Sequence, residues 1–228
     1  MATQLLLGLA PAHEPSFENF VVGDNREVVE RIVDLVQSRA PGAIFLWGPA
    51  GSGKSHLLAA ATRAATRRPW FRLDGETEDD LLELRGGTLV IVDDVDQLDD
   101  GGQRTLFRVF NAARITGTSL LLAASRPPLA LTLREDLRTR LGQCLVLQLA
   151  ALSEAERCAA LERHAAQRGM RLPEGLVAYL IRHGRRDLPT LLATLDRLDR
   201  ASLEQKRQPT VPMLRDLLQQ DAFTLPTP

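Results

Sequence analysis

One eight-residue stretch restricts the fold of this 228-residue chain more than any other feature: GPAGSGKS, from Gly48 to Ser55. The continuous apolar run AIFLW (43–47) precedes it, and a segment rich in strong helix formers follows it. Glycines let a loop curl around a phosphate, and the amide groups at the start of a helix attract an anion. The stretch therefore predicts a phosphate-binding loop between a strand and a helix.

Two side chains of this loop have predicted roles at a bound phosphate. Lys54 supplies charge to the outer phosphates, and Ser55 supplies a hydroxyl to Mg²⁺. The alternative is a glycine-rich surface turn without a ligand. The predicted nucleotide-binding residues here are Gly48, Pro49, Ala50, Gly51, Ser52, Gly53, Lys54, Ser55 and His56.

A second motif, LVIVDDVDQL (89–98), carries carboxylates directly after an apolar run. Because α/β sheets bind ligands at the carboxyl ends of their strands, Asp93 is predicted to hold the Mg²⁺ shell together with Ser55. Asp94 is predicted to orient a water molecule for hydrolysis. A solvated carboxylate at a strand end is the alternative for Asp94.

Apolar runs that alternate with helical patterns predict an α/β domain with a parallel sheet. After Leu152 no strand pattern remains, and Ser153 with Glu156 forms a capping-box pattern that opens a helix. The predicted strands are 43–47, 70–74, 88–94, 119–125 and 144–149. The predicted helices are 25–40, 54–68, 78–85, 102–117, 134–141, 153–167, 173–183, 187–205 and 210–219. We expect an arm at 1–16, an α/β domain at 17–150, a helical domain at 151–220 and a tail at 221–228.

Charge and cysteine content argue against several classes of protein. The net charge of -1 gives no global attraction to nucleic acid or to an anionic membrane. No apolar run reaches the roughly 18 residues that span a bilayer. Cys144 and Cys158 lack metal-ligand spacing and are predicted to be free thiols in a reducing cytoplasm. We expect Arg63, Arg67 and Arg68 on a solvated helix face rather than in a nucleic-acid patch.

With both motifs placed, residues 16–220 resemble the AAA+ ATPases of the DnaA-type initiator clade. SFENFVVGDN (16–25) resembles the clade's segment beside the nucleotide base, which implies contacts from Val22 and Asn25. LLLAASRPP (120–128) resembles the sensor I strand, with Ser125 where an Asp is usual. The resemblance implies a P-loop NTPase sheet flanked by helices and followed by a small all-α lid.

The segment DLRTRLGQCLVLQLAAL (136–152) resembles the part of the clade that carries the arginine finger. The resemblance places Arg140 in that role, in which a guanidinium reaches the γ-phosphate in a neighbouring protein. Arg140 could instead pair with a surface carboxylate, and Arg138 is the natural alternative in register. The clade usually has an arginine at the sensor II position of the lid, at the start of a helix. This chain has Pro189 there. Arg185 or Arg186 could substitute for that arginine, or the two could form a solvated basic face.

The N-terminal stretch QLLLGL (4–9) is unusually apolar for a chain end. A signal peptide is disfavoured because no Lys or Arg precedes Arg26. Short members of the clade begin with a motif of the type Gln-Leu-x-Leu-x-Leu, which docks on the β subunit sliding clamp of DNA polymerase III. Its matching positions here are Gln4, Leu5, Leu7 and Leu9. A strand or helix packed on the core is the other alternative.

The resemblance implies a negative regulator of replication initiation. It would bind ADP or ATP with Mg²⁺, dock on the sliding clamp, and promote hydrolysis of ATP bound to DnaA. We expect a cytoplasmic protein that reaches DNA mainly through the clamp, without an origin-binding domain after the lid; whether it forms a homo-oligomer stays open. Two alternatives stay open: an adaptor that bridges clamp and DnaA without stimulating hydrolysis, and a stand-alone ATPase or helicase loader.

Overall fold

The computed structural model describes residues 14–38, 40–73, 86–185 and 187–224, with side chains up to residue 220. The predicted helix at 78–85, the QLLLGL stretch and Arg186 lie outside the described residues. The chain divides into two compact units, one spanning Ser16–Glu156 and one that contains the helices from Arg157 onward. Within the described ranges, no helix is both long enough and apolar enough to cross a membrane.

The Ser16–Glu156 unit is built on a sheet in which every described strand pair is parallel. The strand order is β2-β3-β4-β1-β5. The two strands β3 and β4 are buried along their whole length, which explains why their sequences are apolar without alternation. The strands are β1 (Ala43–Trp47), β2 (Trp70–Arg72), β3 (Leu89–Val92), β4 (Ser119–Ala124) and β5 (Leu145–Gln148).

Helices cover both faces of this sheet. Successive residues of a strand point to opposite faces, so neighbouring residues pack in different apolar clusters. Phe45 packs in the cluster that contains Leu106 and Phe110, whereas the next residue, Leu46, packs in the cluster that contains Ile32. The helices of this unit are α1 (Arg26–Gln37), α2 (Lys54–Ala64), α3 (Asp100–Thr116) and α4 (Glu135–Gly142). The predicted α/β class is confirmed.

The helix after the glycine-rich loop is shorter than predicted, because α2 ends at Ala64 rather than at residue 68. Pro69 disfavours the helical conformation of the residue before it. Arg68 instead donates hydrogen bonds to the carbonyls of Gly87 (2.8 Å) and Leu35 (3.0 Å) and to Ser119 Oγ (2.9 Å). The expectation of a solvated helix face is therefore wrong for Arg68.

The second unit is entirely helical in its described part. It has its own apolar cluster, which includes Leu161, Leu180 and Leu195. Helix α5 begins with the predicted capping box, in which Glu156 N donates to Ser153 Oγ (3.2 Å) and Ser153 N donates to the Glu156 carboxylate (2.8 Å). The helices are α5 (Glu154–Gln167), α6 (Leu176–His183), α7 (Leu188–Glu204) and α8 (Val211–Thr224).

Candidate nucleotide site

The GPAGSGKS loop connects β1 to α2 at the carboxyl edge of the sheet, and its backbone requires glycine at several points. Gly51 and Gly53 have positive φ angles of 77° and 99°. At Gly48, an added Cβ would lie 2.4 Å from the carbonyl oxygen of Leu149. The loop is therefore held in one curled form by close backbone approaches that only glycine permits.

The polar side chains of this loop are arranged for a ligand that carries oxygen atoms. Lys54 is buried, and its Nζ donates to the carbonyls of Gly48 (2.7 Å) and Pro49 (3.0 Å). The Ser52 hydroxyl is buried and has no hydrogen-bond partner among the described residues. Buried polar groups normally have partners, so a missing one marks a place where a ligand fits. A nucleotide phosphate matches this donor set.

The 16–25 segment packs against the same loop. The ring of Phe20 lies so close to Gly53 that an added Cβ there would be 2.7 Å from Phe20 Cε2. The Phe20 ring also contacts the His56 ring, with 5.5 Å between their centroids. His56 Nε2 lies 3.0 Å from the Ser16 carbonyl oxygen. The sequence did not indicate Phe20 as a site residue, because its role depends on a contact with a loop more than thirty positions away.

Asn25 fixes the other end of this segment. Its buried side chain accepts a hydrogen bond from Ala150 N (2.8 Å) and donates one to Ala150 O (3.1 Å). Its backbone N–H donates to the carbonyl of Val22 (2.9 Å). Asn25 therefore positions the segment beside the loop. A contact of Val22 or Asn25 with a nucleotide base stays a prediction.

The predicted carboxylates follow β3 at the same edge of the sheet. Asp93 faces Arg72, whose Nη2 lies 3.7 Å from Asp93 Oδ2. Asp94 adopts a left-handed conformation with φ of 46°. Burial and the neighbouring charges of Asp93 and Asp96 raise the pKa of Asp94. The strand end thus carries the carboxylates that a hydrolytic or metal-binding role requires.

Ser125, at the end of β4, is engaged by a third carboxylate that the sequence did not single out. Its hydroxyl donates to Asp96 Oδ2 (2.6 Å) and its backbone N–H donates to Asp96 Oδ1 (3.2 Å). Although burial acts in the opposite direction, these hydrogen bonds and others leave the pKa of Asp96 below its ordinary value. The predicted sensor residue therefore already has a strong polar partner.

Ser55 and Asp93 are the residues that would hold Mg²⁺ together with a bound nucleotide, and this role stays a prediction. Among the described residues, no group of three or more His, Cys, Asp or Glu side chains could hold a metal ion by itself. Mg²⁺ is usually held by one or two protein oxygens together with phosphate oxygens and water. Ser55, in the first turn of α2, and Asp93, after β3, both follow carboxyl ends of parallel strands, which is where such an ion binds.

Arg140 lies in α4 and contacts neutral groups. Its Nη2 donates to Asn111 Oδ1 (3.2 Å), and its Nη1 lies 3.5 Å from Gln143 Oε1. No ion pair of Arg140 is found in the described part of the chain, whereas Arg138 pairs with Glu135 at 3.6 Å. The alternative role for Arg140 was an ion pair with a surface carboxylate. Among the described residues, Arg138 forms such a pair and Arg140 does not.

The residues near the predicted sensor II position belong to the helical unit. Pro189 lies in the first turn of α7, where its missing N–H has no cost, and Asp187 caps that helix by accepting from Thr190 N (2.9 Å). Arg185 is exposed in the connection before α7. A role for Arg185 toward a nucleotide stays a prediction.

Comparison with known proteins finds one family-model match in the helical part of the chain and several solved structures of similar fold. Residues 154–218 match the family model described as the lid domain of Hda. The crystal structure of domain III of the Thermotoga maritima initiator DnaA is 22% identical, with a TM-score of 0.74, covering 91% of this chain and 97% of that one. The Thermotoga maritima RuvB Holliday junction branch migration motor is 16% identical, with a TM-score of 0.69, over 91% of this chain and 72% of that one.

A third similar structure is that of AMPPCP-bound DnaA from Aquifex aeolicus. It is 20% identical, with a TM-score of 0.69, and the match covers 82% of this chain and 65% of that one. Together the matches confirm the predicted AAA+ fold with a helical lid. The matched residues include the segment TLDRLDRASLEQKRQPTVPMLRDLL (194–218), and its resemblance to the end of Hda agrees with this family model.

Proposed function

We propose that this protein is a regulator of replication initiation that promotes the hydrolysis of ATP bound to DnaA. The observation that carries this proposal is the match of residues 154–218 to the Hda lid, on a chain whose fold is that of DnaA domain III. These two findings support a DnaA-related regulator. The partner and the chemistry are the proposed parts.

The glycine-rich loop is proposed to bind ADP or ATP with Mg²⁺. The unpartnered Ser52 hydroxyl, the buried Lys54 amine and the tight glycine turns support a phosphate ligand. A DnaA structure of the same fold contains AMPPCP. Because the Ser125 hydroxyl is bound to Asp96, we expect it to contribute little to phosphate contacts and intrinsic hydrolysis to be slow.

Arg140 is proposed to enter the ATP site of DnaA. A guanidinium that neutralises charge on the transferring phosphate is worth about 10³–10⁵ in rate in the comparable GTPases. Arg140 contacts the amide side chains of Asn111 and Gln143, so no ion pair within the described residues has to break before it reaches a partner. This arrangement leaves the Arg140 charge available for a phosphate group of a neighbouring protein.

The QLLLGL stretch is proposed to recruit the protein to DNA through the sliding clamp. Gln4 would form fixed hydrogen bonds, while Leu5, Leu7 and Leu9 fill an apolar pocket. Each fully buried leucine contributes about 1.5–3 kcal/mol. The entropy that a peptide loses on binding opposes this gain, so we expect an affinity of about micromolar.

A reconstituted reaction tests this recruitment. DnaA–ATP, DNA-loaded clamp and this protein are mixed, and ADP production is measured with and without the clamp. We expect the wild type to accelerate hydrolysis only with the loaded clamp, and the variant Leu7→Ala/Leu9→Ala to remain at the rate without clamp. Leu203→Ala, which alters an exposed leucine of the helical unit, is the matched control.

The outcomes separate the alternatives. If the double variant stimulates hydrolysis as well as the wild type, clamp docking through these leucines is wrong. If the wild type binds clamp and DnaA but never accelerates hydrolysis, the adaptor alternative replaces the proposed function.

A further inference from the structure

Arg72 lies directly beside the carboxylate proposed to bind magnesium. It is the last residue of β2, which pairs in parallel with β3, and it stands opposite Ile91, two positions before Asp93. The Arg72 guanidinium is 3.7 Å from the Asp93 carboxylate. The Asp93 side chain is only 9% exposed, whereas that of Arg72 is 57% exposed. A nearly buried carboxylate is therefore neutralised by an arginine that remains accessible to water.

The other polar groups at this edge of the sheet have different partners. The Lys54 amine donates to loop carbonyls, and the Ser125 hydroxyl donates to Asp96. The backbone N–H of Asp94 donates to Asp93 Oδ1 (3.1 Å), which fixes one carboxylate oxygen and leaves the other toward Arg72. Within the described residues, Arg72 is the cationic side chain that pairs with Asp93.

A guanidinium and a divalent cation compete for such a carboxylate. A buried carboxylate is costly without a compensating charge, so Asp93 requires one when no metal is bound. A bound Mg²⁺ would supply that charge through Asp93, directly or through a water molecule. Its charge would repel the Arg72 guanidinium, which lies beside the same carboxylate.

We propose that Arg72 is a positioning residue, a resident counter-ion of Asp93 that Mg²⁺ must displace when nucleotide binds. Arg72 thereby raises the half-effective Mg²⁺ concentration, at which the metal has half of its effect on nucleotide binding. This inference rests on the proposed nucleotide binding and deepens it. The exposure of Arg72 lets its side chain turn into water after displacement without breaking the core.

Nucleotide binding at graded Mg²⁺ concentrations tests the inference. A fluorescent ADP analogue is titrated with the full chain in EDTA and in a series of Mg²⁺ concentrations, for the wild type, Arg72→Gln and Arg72→Lys. Arg31→Gln is the matched control, because Arg31 is similarly exposed and pairs with Glu27 at 3.5 Å on α1. Like Arg72→Gln, Arg31→Gln removes one positive charge, but it does so at a position outside the candidate nucleotide site. Thermal melting confirms that each variant is folded.

We expect Arg72→Gln to lower the half-effective Mg²⁺ concentration about three- to fivefold, the size of effect that one half-exposed ion pair produces. Arg72→Lys keeps the charge and should stay within about twofold of the wild type, as should Arg31→Gln, which removes only a surface pair. An unchanged half-effective concentration in Arg72→Gln overturns the inference. An equal decrease in Arg72→Lys or Arg31→Gln overturns it as well.

The result also distinguishes this inference from the proposed function beneath it. If the wild type binds the ADP analogue but the Mg²⁺ requirement is the same in every variant, only the role of Arg72 is wrong. If the wild type fails to bind the analogue with and without Mg²⁺, nucleotide binding itself is wrong, and the role of Arg72 is wrong with it.

Discussion

Three aspartates follow β3 within four positions, and each one has a different environment. Asp93 pairs with Arg72, and Asp96 accepts the Ser125 hydroxyl hydrogen bond. Asp94, between them, has a left-handed backbone and a pKa raised by burial and by the charges of the other two aspartates. A carboxylate that combines a strained backbone with a raised pKa is typical of a functional site rather than of a stabilising one.

The variant Asp94→Asn tests the environment of this residue through pH. Because the folded-state pKa is above the unfolded value, ionised Asp94 destabilises the folded protein once the pH rises past both values. We expect Asp94→Asn to increase the free energy of unfolding near neutral pH. The gain should shrink as the pH falls through the raised pKa. Denaturant unfolding of the variant and the wild type at a series of pH values measures this difference in the free energy of unfolding.

Asp136 provides a control of opposite sign. A hydrogen bond from Arg134 lowers the pKa of Asp136, so its ionised form stabilises the folded state above the ordinary aspartate range. Asp136→Asn should therefore lower stability near neutral pH, with the loss vanishing on acidification. A gain in Asp94→Asn that keeps the same size at every pH would mean that relief of backbone strain, not charge, is the cause.

Only part of this site could be predicted at the residue scale. The loop residues and Asp93 carry a local pattern, since their chemistry requires fixed spacing along the chain. Arg72 and Phe20 carry no such pattern. Arg72 meets Asp93 because β2 lies next to β3, and Phe20 meets Gly53 because the 16–25 segment folds back over the loop. Contacts of this kind follow from tertiary packing, which residue types alone do not disclose.

At the scale of elements, Arg68 joins parts of the Ser16–Glu156 unit at the amino edge of the sheet. Its guanidinium donates to carbonyls at the end of α1, to those of Gly87 and Thr88 before β3, and to Ser119 Oγ at the start of β4. Burial lowers the pKa of Arg68. Planar geometry with five donors suits arginine to this task, and lysine cannot reproduce it.

We predict that Arg68→Gln lowers the free energy of unfolding by about 2–3 kcal/mol, because it removes several hydrogen bonds from a charged donor to partly buried acceptors. Arg68→Lys should fall between Arg68→Gln and the wild type. The adjacent and exposed Arg67 is the matched control, and Arg67→Gln should change stability by less than about 0.5 kcal/mol. Equal losses for Arg67→Gln and Arg68→Gln in denaturant unfolding would contradict this account.

The strands could be predicted from sequence more closely than the ends of the helices. A buried strand must be apolar throughout, so the runs at 43–47 and 119–125 place β1 and β4 within one residue at either end. Residue types that favour a helix continue to residue 68, although α2 ends at Ala64. Its end depends on Pro69 and on the carbonyl oxygens, distant in sequence, that accept hydrogen bonds from Arg68. Helix ends of this kind are decided by tertiary hydrogen bonds, which propensity does not include.

At the scale of the whole molecule, the proposed function needs features from both units. The Ser16–Glu156 unit contains the glycine-rich loop, the aspartates and Arg140, and the helical unit contains the match to the Hda lid. The strand order could not be derived from the apolar runs, since these predict strands but not their neighbours. The order β2-β3-β4-β1-β5 comes from the structure, and the fold that contains it is similar to that of DnaA domain III.

The central claim, that Arg140 acts on ATP bound to DnaA, is tested most directly by one measurement. ADP production from DnaA–ATP with DNA-loaded clamp is compared for the wild type, Arg140→Ala and Arg138→Ala, with clamp binding measured in parallel. Arg138 is the matched control, because it lies on the same helix two positions away and already pairs with Glu135. We predict that Arg140→Ala binds the clamp normally but loses stimulation by about a hundredfold or more, while Arg138→Ala stays close to the wild type. A wild-type rate of ADP production with Arg140→Ala would contradict the claim.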